Sequence, residues 1–476
     1  MTTSPSSITL SLISHTNIGK TTLARTFLRR DVGQVLDQAH VTLHNEQFVL
    51  LETADGFRLN LWDTPGFGNS HKLMSRLQGL TNPIGWMVSQ VWDRLADKPF
   101  WCSQQAIRNV RDEADVVLYL VNATEDPTMA GYLQPELELL TWLNKPVIVL
   151  INQTGLIDSQ QQQRLVSRWK QHWVMHEVIK DVMNLDAFTR CWVQEGVLWD
   201  RITQALPPEK QPIMARLGKA WYATHRQIFH SSMTHLARLL TETALDGELI
   251  SQNPTVLSKK HLIKGAIHAL DQRLAQRISA TTAHLIELHG LTGDMAHTLQ
   301  SRIEDVIVPG ERKPWEEETF WGALASGAAA GLASDMATGG LSHGVFTIGG
   351  AILGALAERV YAKSQEEGDP NRISWVPAFL DRQTRDALLR YLAVTHCGRG
   401  RGNYADPREF PLFWQRATEQ VIEERKDVLH QAWKLAKSPQ LTTGKTDQDQ
   451  PNLVPLLSSM AQEILIQFYP EAALWL

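Results

Sequence analysis

The chain has 476 residues, 43% of them hydrophobic and 20% charged, with a formal net charge of -5. That length exceeds one ordinary hydrophobic core and predicts several domains, while the composition excludes a wholly disordered chain. The mild negative balance gives no global electrostatic reason to expect nucleic acid, although a local patch stays open.

Three widely spaced cysteines, Cys102, Cys191 and Cys397, match no metal spacing and suggest a reducing cytoplasm rather than a disulfide framework. Residues 1–7 are polar and lead into an apolar run without a basic n-region or cleavage site, so no signal peptide is expected. The 16 tryptophans read as core or interface anchors.

The first two hundred residues alternate apolar runs with helical patterns, which predicts an α/β domain built on a mostly parallel sheet with flanking helices. Candidate strands are 8–14, 48–53, 57–63, 116–122 and 146–152, with a sixth around 182–188. Helices are expected from Lys20, within 104–112, from Pro135 and from Ser159, and 195–206 reads as a closing helix stopped by Pro207 and Pro208. A long insertion at 70–102 carries Trp86, Trp92, Phe100 and Trp101, and is either a partner-binding surface or a packed lid.

The first domain is thus expected over 1–207 and a mainly α-helical domain over 208–476. The second contains long amphipathic helices at 214–245 and 261–291, a Gly/Ala-rich stretch at 320–361, a polar linker at 442–452 and an apolar helix at 453–468.

The strongest local signal is Ser14-His15-Thr16-Asn17-Ile18-Gly19-Lys20-Thr21, between an apolar strand and a helix that continues with Thr22. It has the form of a phosphate-binding loop (P-loop), whose backbone N–H groups and helix N-terminus surround phosphate. Lys20 is expected to reach the β- and γ-phosphates, and the Thr21 hydroxyl to ligate Mg2+. Ser14 stands where the pattern has Gly, a departure that keeps a small residue.

The third strand ends in Asp63-Thr64-Pro65-Gly66. An acidic residue there holds Mg2+ in P-loop nucleoside-triphosphatases, and the Gly66 N–H is placed to meet the γ-phosphate. Residues 37–45 are expected to form the first switch loop, with Thr42 as the second hydroxyl ligand to Mg2+; a plain loop residue is the alternative. After the strand at 146–152 the chain reads Asn152-Gln153-Thr154-Gly155, where a GTPase normally has Asn-Lys-x-Asp. Gly155 lacks the carboxylate that selects guanine, and Asp158 is a candidate substitute; GTP over ATP is not readable here.

These motifs resemble the translation-factor-related GTPases of the Era/TrmE type, and in particular a bacterial group fused to a C-terminal domain of unknown function. The resemblance runs through 14–26, 61–68, 114–123, 147–155 and 186–195. It implies a GTP-hydrolysing switch with Lys20, Thr42 and Gly66 as the catalytic groups. The Asp186-Ala187-Phe188 segment falls at the family's fifth motif, which puts Ala187 beside the base. Asn17 matches a position that helps bind K+ in TrmE-like members, and Phe67 stands where other GTPases carry a catalytic glutamine. K+-stimulated hydrolysis is therefore expected, the alternative being that Asn17 only shapes the loop.

Within 320–361, Gly327/Gly331, Gly340/Gly344 and Gly350/Gly354 have the spacing that lets helices approach closely. Each apolar half is shorter than the roughly 20 residues of a membrane span. The segment is either a membrane-inserting hairpin, flanked by Arg312, Lys313, Arg359 and Lys363, or a packed soluble hairpin. The short basic loop from Cys397 to Gly402 is a weak RNA signal. His225, His230 and His235 are turned about 140° from one another on a helix and do not converge on a metal.

The expected protein is a cytoplasmic Mg2+-dependent GTPase binding GTP and GDP, with peripheral or hairpin association with the inner membrane as an option. Its helical domain engages a membrane surface or a protein partner, RNA being a weaker alternative and dimerisation an open one. The competing readings are a nucleotide-bound scaffold with little hydrolysis and a ribosome- or RNA-associated GTPase.

Overall fold

The computed structural model describes residues 7–29, 45–90, 98–249, 256–291, 299, 372–398, 410–436 and 452–476. The expected first switch loop with Thr42, the Gly/Ala-rich stretch 320–361, most of the linker 442–452 and Trp92 lie outside them. The chain divides into two compact units.

The first unit comprises residues 1–227, 395–405 and 465–476. Its sheet contains β1 (Ser7–Ser14), β2 (Glu46–Glu52), β3 (Arg58–Asp63), β4 (Val116–Asn122), β5 (Val147–Asn152) and β6 (Ile179–Asn184), in the spatial order β2-β3-β1-β4-β5-β6. Only β2 runs antiparallel, pairing with β3 at the edge. The central strands β4 and β5 are continuous apolar runs because helices cover both faces of a parallel sheet. The edge strand β2 alternates and stays largely exposed.

Helix α1 (Lys20–Leu28) follows β1 directly. The insertion folds into α2 (Ser70–Leu77), α3 (Pro83–Ser89) and the start of α4 (Lys98–Asp112). Ile84, Met87 and Phe100 are buried in the core that also takes Phe67, and Trp86 packs against it. Gln104 donates to the carbonyls of Met87 and Gln90 at 2.8 and 2.6 Å, and Arg108 donates to that of Val88 at 2.6 Å, which ties the end of α3 to α4. Among its described residues the insertion is a packed layer.

The remaining helices of this unit are α5 (Leu133–Leu143), α6 (Ser159–Trp173), α7 (Trp192–Ala205) and the first part of α8 (Gln211–Leu245). The sixth strand ends at Asn184, short of the expected 188, because residues 185–188 turn away to form a loop beside β5. Trp192, Trp199, Trp221 and Trp475 form one aromatic cluster. A Cβ on Gly196 would lie 2.5 Å from the Trp475 ring, so the missing side chain is what admits that ring onto α7. His225 stacks on Trp221 at 3.9 Å, while His230 is exposed.

The second unit comprises residues 228–394 and 406–464. It holds the rest of α8, a short antiparallel ribbon of β7 (Gly247–Leu249) with β8 (Arg372–Ser374), the helices α9 (Val256–Leu288), α10 (Pro377–Thr395), α11 (Leu412–Glu424) and α12 (Lys426–Ala436), and most of α13 (Val454–Phe468). The ribbon is anchored by Asp246, which accepts hydrogen bonds from Arg273 at 2.8 Å and Arg277 at 2.6 Å. Partial burial would raise that carboxyl, but the two guanidinium groups hold it below the usual range. No helix among the described residues is long and apolar enough to cross a membrane.

Asp271 on α9 is buried, its Oδ1 has no hydrogen-bond partner among the described residues, and burial pushes its carboxyl from 3.8 to about 7. A raised native pKa means that the folded state holds the proton more tightly than the unfolded chain. Stability is therefore full below pH 4 as far as this group is concerned, and falls as pH rises toward 7. Asp271→Asn is expected to flatten that slope and to raise stability at pH 8 by about 1–3 kcal/mol. Thermal unfolding of both proteins between pH 5 and pH 8 checks it; parallel curves would show that Asp271 carries no such penalty.

Candidate nucleotide site

The site lies at the carboxyl ends of β1, β3 and β5, where the neighbours of β1 on its two sides leave a crevice in the sheet order. Between β1 and α1 the loop turns through two left-handed residues, Asn17 at φ 64° and Gly19 at φ 101°. Gly19 caps α1 without any side-chain hydrogen bond, so the N–H groups of the first turn have no capping side chain in front of them. A Cβ at Gly19 would stand 2.7 Å from Asn152 Nδ2, a second reason for glycine at this position. Ile18 is buried, His15 and Thr16 are half-buried, Asn17 is exposed, and Thr22 is buried inside α1.

Lys20 donates from Nζ to Ser14 Oγ at 3.0 Å, which gives the serine at the first loop position a structural task. Burial lowers the Lys20 ammonium from its ordinary value, while Asp63 and Glu136 act to raise it. Thr21 donates from Oγ1 to Asp63 Oδ2 at 2.6 Å, and Asp63 Oδ1 is buried with no partner among the described residues. Burial lifts the Asp63 carboxyl to about 6, against the opposing effects of the Thr21 hydroxyl and Lys20. A hydroxyl and a buried carboxylate with one unsatisfied oxygen form a hard oxygen donor set, so these residues fit Mg2+. Thr42, the expected partner ligand, lies outside the described residues.

Thr64 and Pro65 are buried, and Thr64 donates to the carbonyl of Leu12 at 2.6 Å. A Cβ on Gly66 would lie 3.0 Å from Lys20 Nζ and 3.2 Å from Thr16 Cα, so Gly66 is brought directly against the phosphate-binding loop. Phe67 donates its N–H to the carbonyl of Ser14 at 2.9 Å and is fully buried. Its side chain therefore does not offer a polar group to a phosphate.

One cluster was not legible in the sequence. Glu136 on α5 is wholly buried and lies 2.7 Å from His15 Nδ1. It also accepts hydrogen bonds from Ser70 Oγ at 2.6 Å and Tyr119 OH at 2.7 Å. His15 stacks on Tyr132 with centroids 4.3 Å apart. A single carboxylate thus joins the phosphate-binding loop to the first residue of α2. Nothing in the spacing of 15, 70, 119 and 136 announces this; only the fold brings them together.

Asn152 is also fully buried. Its Nδ2 donates to the carbonyl of Ile18 at 2.7 Å, and its Oδ1 accepts the N–H of Ala187 at 2.8 Å. Gln153 and Gly155 both take left-handed conformations, at φ 61° and 65°. Asp158 is the N-cap of α6 and accepts from the Gln161 N–H at 2.8 Å, so its carboxylate serves the helix start. Thr26 on α1 donates to the carbonyl of Ala187 at 2.8 Å. Gly398, in the same unit, donates its N–H to the carbonyl of Phe188 at 2.8 Å, and a Cβ there would fall 2.1 Å from the Ala187 carbonyl oxygen. The base-side loop is therefore braced by α1 on one side and by residues 395–398 on the other.

Residues 9–153 match the family described as a 50S ribosome-binding GTPase, and residues 177–457 match a domain of unknown function, DUF3482. The chain is similar to GTPase Era of Heliobacterium modesticaldum, at 23% identity over 287 residues, 58% of this chain and 85% of that protein. Among solved structures it is similar to Era in complex with MgGDPNP and nucleotides 1506-1542 of 16S ribosomal RNA, at 20% identity and a TM-score of 0.32, over 42% of this chain and 57% of that one. It is also similar to an Aquifex aeolicus Era variant bound to GDP.AlF4-, at 16% identity and a TM-score of 0.32, over 53% and 75% of the two chains.

Glu136→Gln keeps the shape of the buried acid and removes its charge. It is expected to cost about 1.5–3 kcal/mol of stability, the worth of a hydrogen bond to a charged group. A thermal unfolding midpoint equal to that of the unsubstituted protein would contradict this account of the cluster.

Proposed function

Since the chain belongs to the DUF3482 family and carries an Era-type P-loop GTPase domain ahead of that region, we propose that it is a Mg2+-dependent GTPase acting as a nucleotide switch. It binds GTP and hydrolyses it to GDP and phosphate. The observation that carries this is the convergence of Lys20, the Thr21–Asp63 hydrogen bond and Gly66 on one face of the phosphate-binding loop. Residues 14–22 wrap the phosphates through backbone N–H groups. Lys20 supplies a point charge to the β- and γ-phosphates, and Thr21 and Asp63 hold the Mg2+, with Thr42 as the second hydroxyl. Mg2+ when bound neutralises charge that develops on the phosphate oxygens. Gly66 presents its N–H to the γ-phosphate, and Thr64 and Pro65 fix the backbone on which it sits. Asn152, Gln153 and Ala187 form the base side.

The switch reading is supported by the zipper between the loop and the segment after β3. Phe67 pairs with Ser14, and Ser70 reaches Glu136 beside His15. Movement of Gly66 on loss of the γ-phosphate pulls on this zipper and therefore on α2. The region from 208 onward is the effector of this movement, engaging a protein partner, a membrane surface or a second copy of the chain. A ribosomal or RNA partner is favoured by the description of the matched GTPase family. Sedimentation of the GTP-loaded chain with ribosomes or with anionic liposomes separates the two, and sedimentation with neither removes both.

Asn17 is exposed in the phosphate-binding loop, with its backbone left-handed at φ 64°. That supports its role as a K+ ligand, with K+ taking the place of a polar group at position 67 in stabilising transition-state charge. Turnover is expected to be faster in K+ than in Na+; equal rates in the two salts would remove the K+ site. In the same assay, titration with GTP and ATP against Lys20→Ala tests the whole reading. The substitution is expected to weaken triphosphate binding by about 10-fold to 100-fold, the worth of a charge-assisted contact. Unchanged affinity would sink the assignment of Lys20.

A further inference from the structure

Guanine is told from adenine by a carboxylate that accepts from the ring N1–H and the exocyclic 2-amine, and the motif position that normally supplies it is Gly155. Asp158 is engaged at the start of α6. The loop after β6 presents another acid. Asp186 Oδ2 accepts the N–H of Gly155 itself at 2.8 Å, and Asp186 Oδ1 accepts the N–H of Phe188 at 2.7 Å. The carboxylate therefore lies on the backbone of the one residue in the motif that has lost its side chain.

We propose that Asp186 is the guanine-selecting residue of this site, its carboxylate replacing from the β6–α7 loop the one absent at position 155. This deepens the GTPase reading above and rests on it. A carboxylate has about four lone-pair sites. Two are taken by the N–H groups of Gly155 and Phe188. Thr154 Oγ1 stands 3.4 Å from Asp186 but has one proton, which the Gly155 carbonyl receives at the shorter 3.1 Å. Two sites are left for the two donors of guanine. The neighbouring N–H of Ala187 is held by Asn152, which ties this loop to the phosphate-binding loop. Asp186 is 3% exposed, so water competes poorly for it. Adenine offers an N1 lone pair and a C–H at the same edge, and meets the carboxylate with repulsion rather than hydrogen bonds. Gly155 is left-handed, at φ 65°, and in that conformation its N–H meets Asp186.

Asp186→Asn replaces one acceptor with a donor; it keeps one carbonyl oxygen and gives up one of the two loop bonds. That pattern is complementary to xanthine, which keeps N1–H but carries a carbonyl in place of the 2-amine. In the full chain, binding of GTP, XTP and ATP is measured for three proteins. These are the unsubstituted protein, Asp186→Asn, and Asp186→Asn combined with Gly155→Asp, which moves the carboxylate back to the usual position. The single substitution is expected to weaken GTP on the order of 100-fold and to strengthen XTP. The double substitution is expected to recover GTP, since Asp tolerates the left-handed conformation.

Equal GTP affinity in the unsubstituted protein and Asp186→Asn overturns the proposal and leaves the GTPase reading intact. Loss of GTP with no gain of XTP and no recovery in the double variant also overturns it, and reduces Asp186 to a loop brace. An unsubstituted chain that binds no guanine nucleotide overturns both readings together.

Discussion

The Asn152 amide holds the nucleotide site together. It has one donor pair and one acceptor, and it commits them to two loops that come from opposite sides of β5: the phosphate-binding loop through Ile18 and the base-side loop through Ala187. The amide is fully buried, so water does not compete for these bonds, and each is stronger than its exposed counterpart. Its position dictates other residues. Gly19 must lack a side chain because Asn152 occupies the space beside it, and Ala187 must turn its N–H inward to meet the oxygen.

A second constraint concerns charge. Lys20, Asp63 and Glu136 are all buried around the same phosphate-binding loop, so each is poorly solvated and each depends on the others. Lys20 donates to Ser14, and Asp63 accepts from Thr21. Burial costs each of these charges its hydration, and the opposite charges of Lys20 and Asp63 offset part of that cost for one another.

Much of this is legible in the sequence because the signals are local. The apolar runs at β1, β4 and β5 are continuous, and the glycine, lysine and threonine at 19–21 fall within one turn of helix. The bounds of β6 are harder to read, because Val182, Met183 and the loop residues up to Phe188 form one apolar-rich run, with no Gly or Pro to mark where pairing stops. The roles of Glu136 and Asp186 are hidden for a different reason. Each looks like an ordinary acid in its own neighbourhood and meets its decisive partner, His15 or Gly155, only across more than thirty positions of chain. The same holds for Gly398, whose bare Cα is required by the Ala187 carbonyl far earlier in the chain.

That last contact has a bearing on biosynthesis. The nucleotide-binding unit is discontinuous, drawing on 395–405 and 465–476 as well as on the first 227 residues. A ribosome delivers these stretches in order, so the aromatic surface of α7 awaiting Trp475 and the loop awaiting Gly398 emerge well before their covers are made. The nascent unit must therefore wait, partly dressed, while the intervening helices are translated.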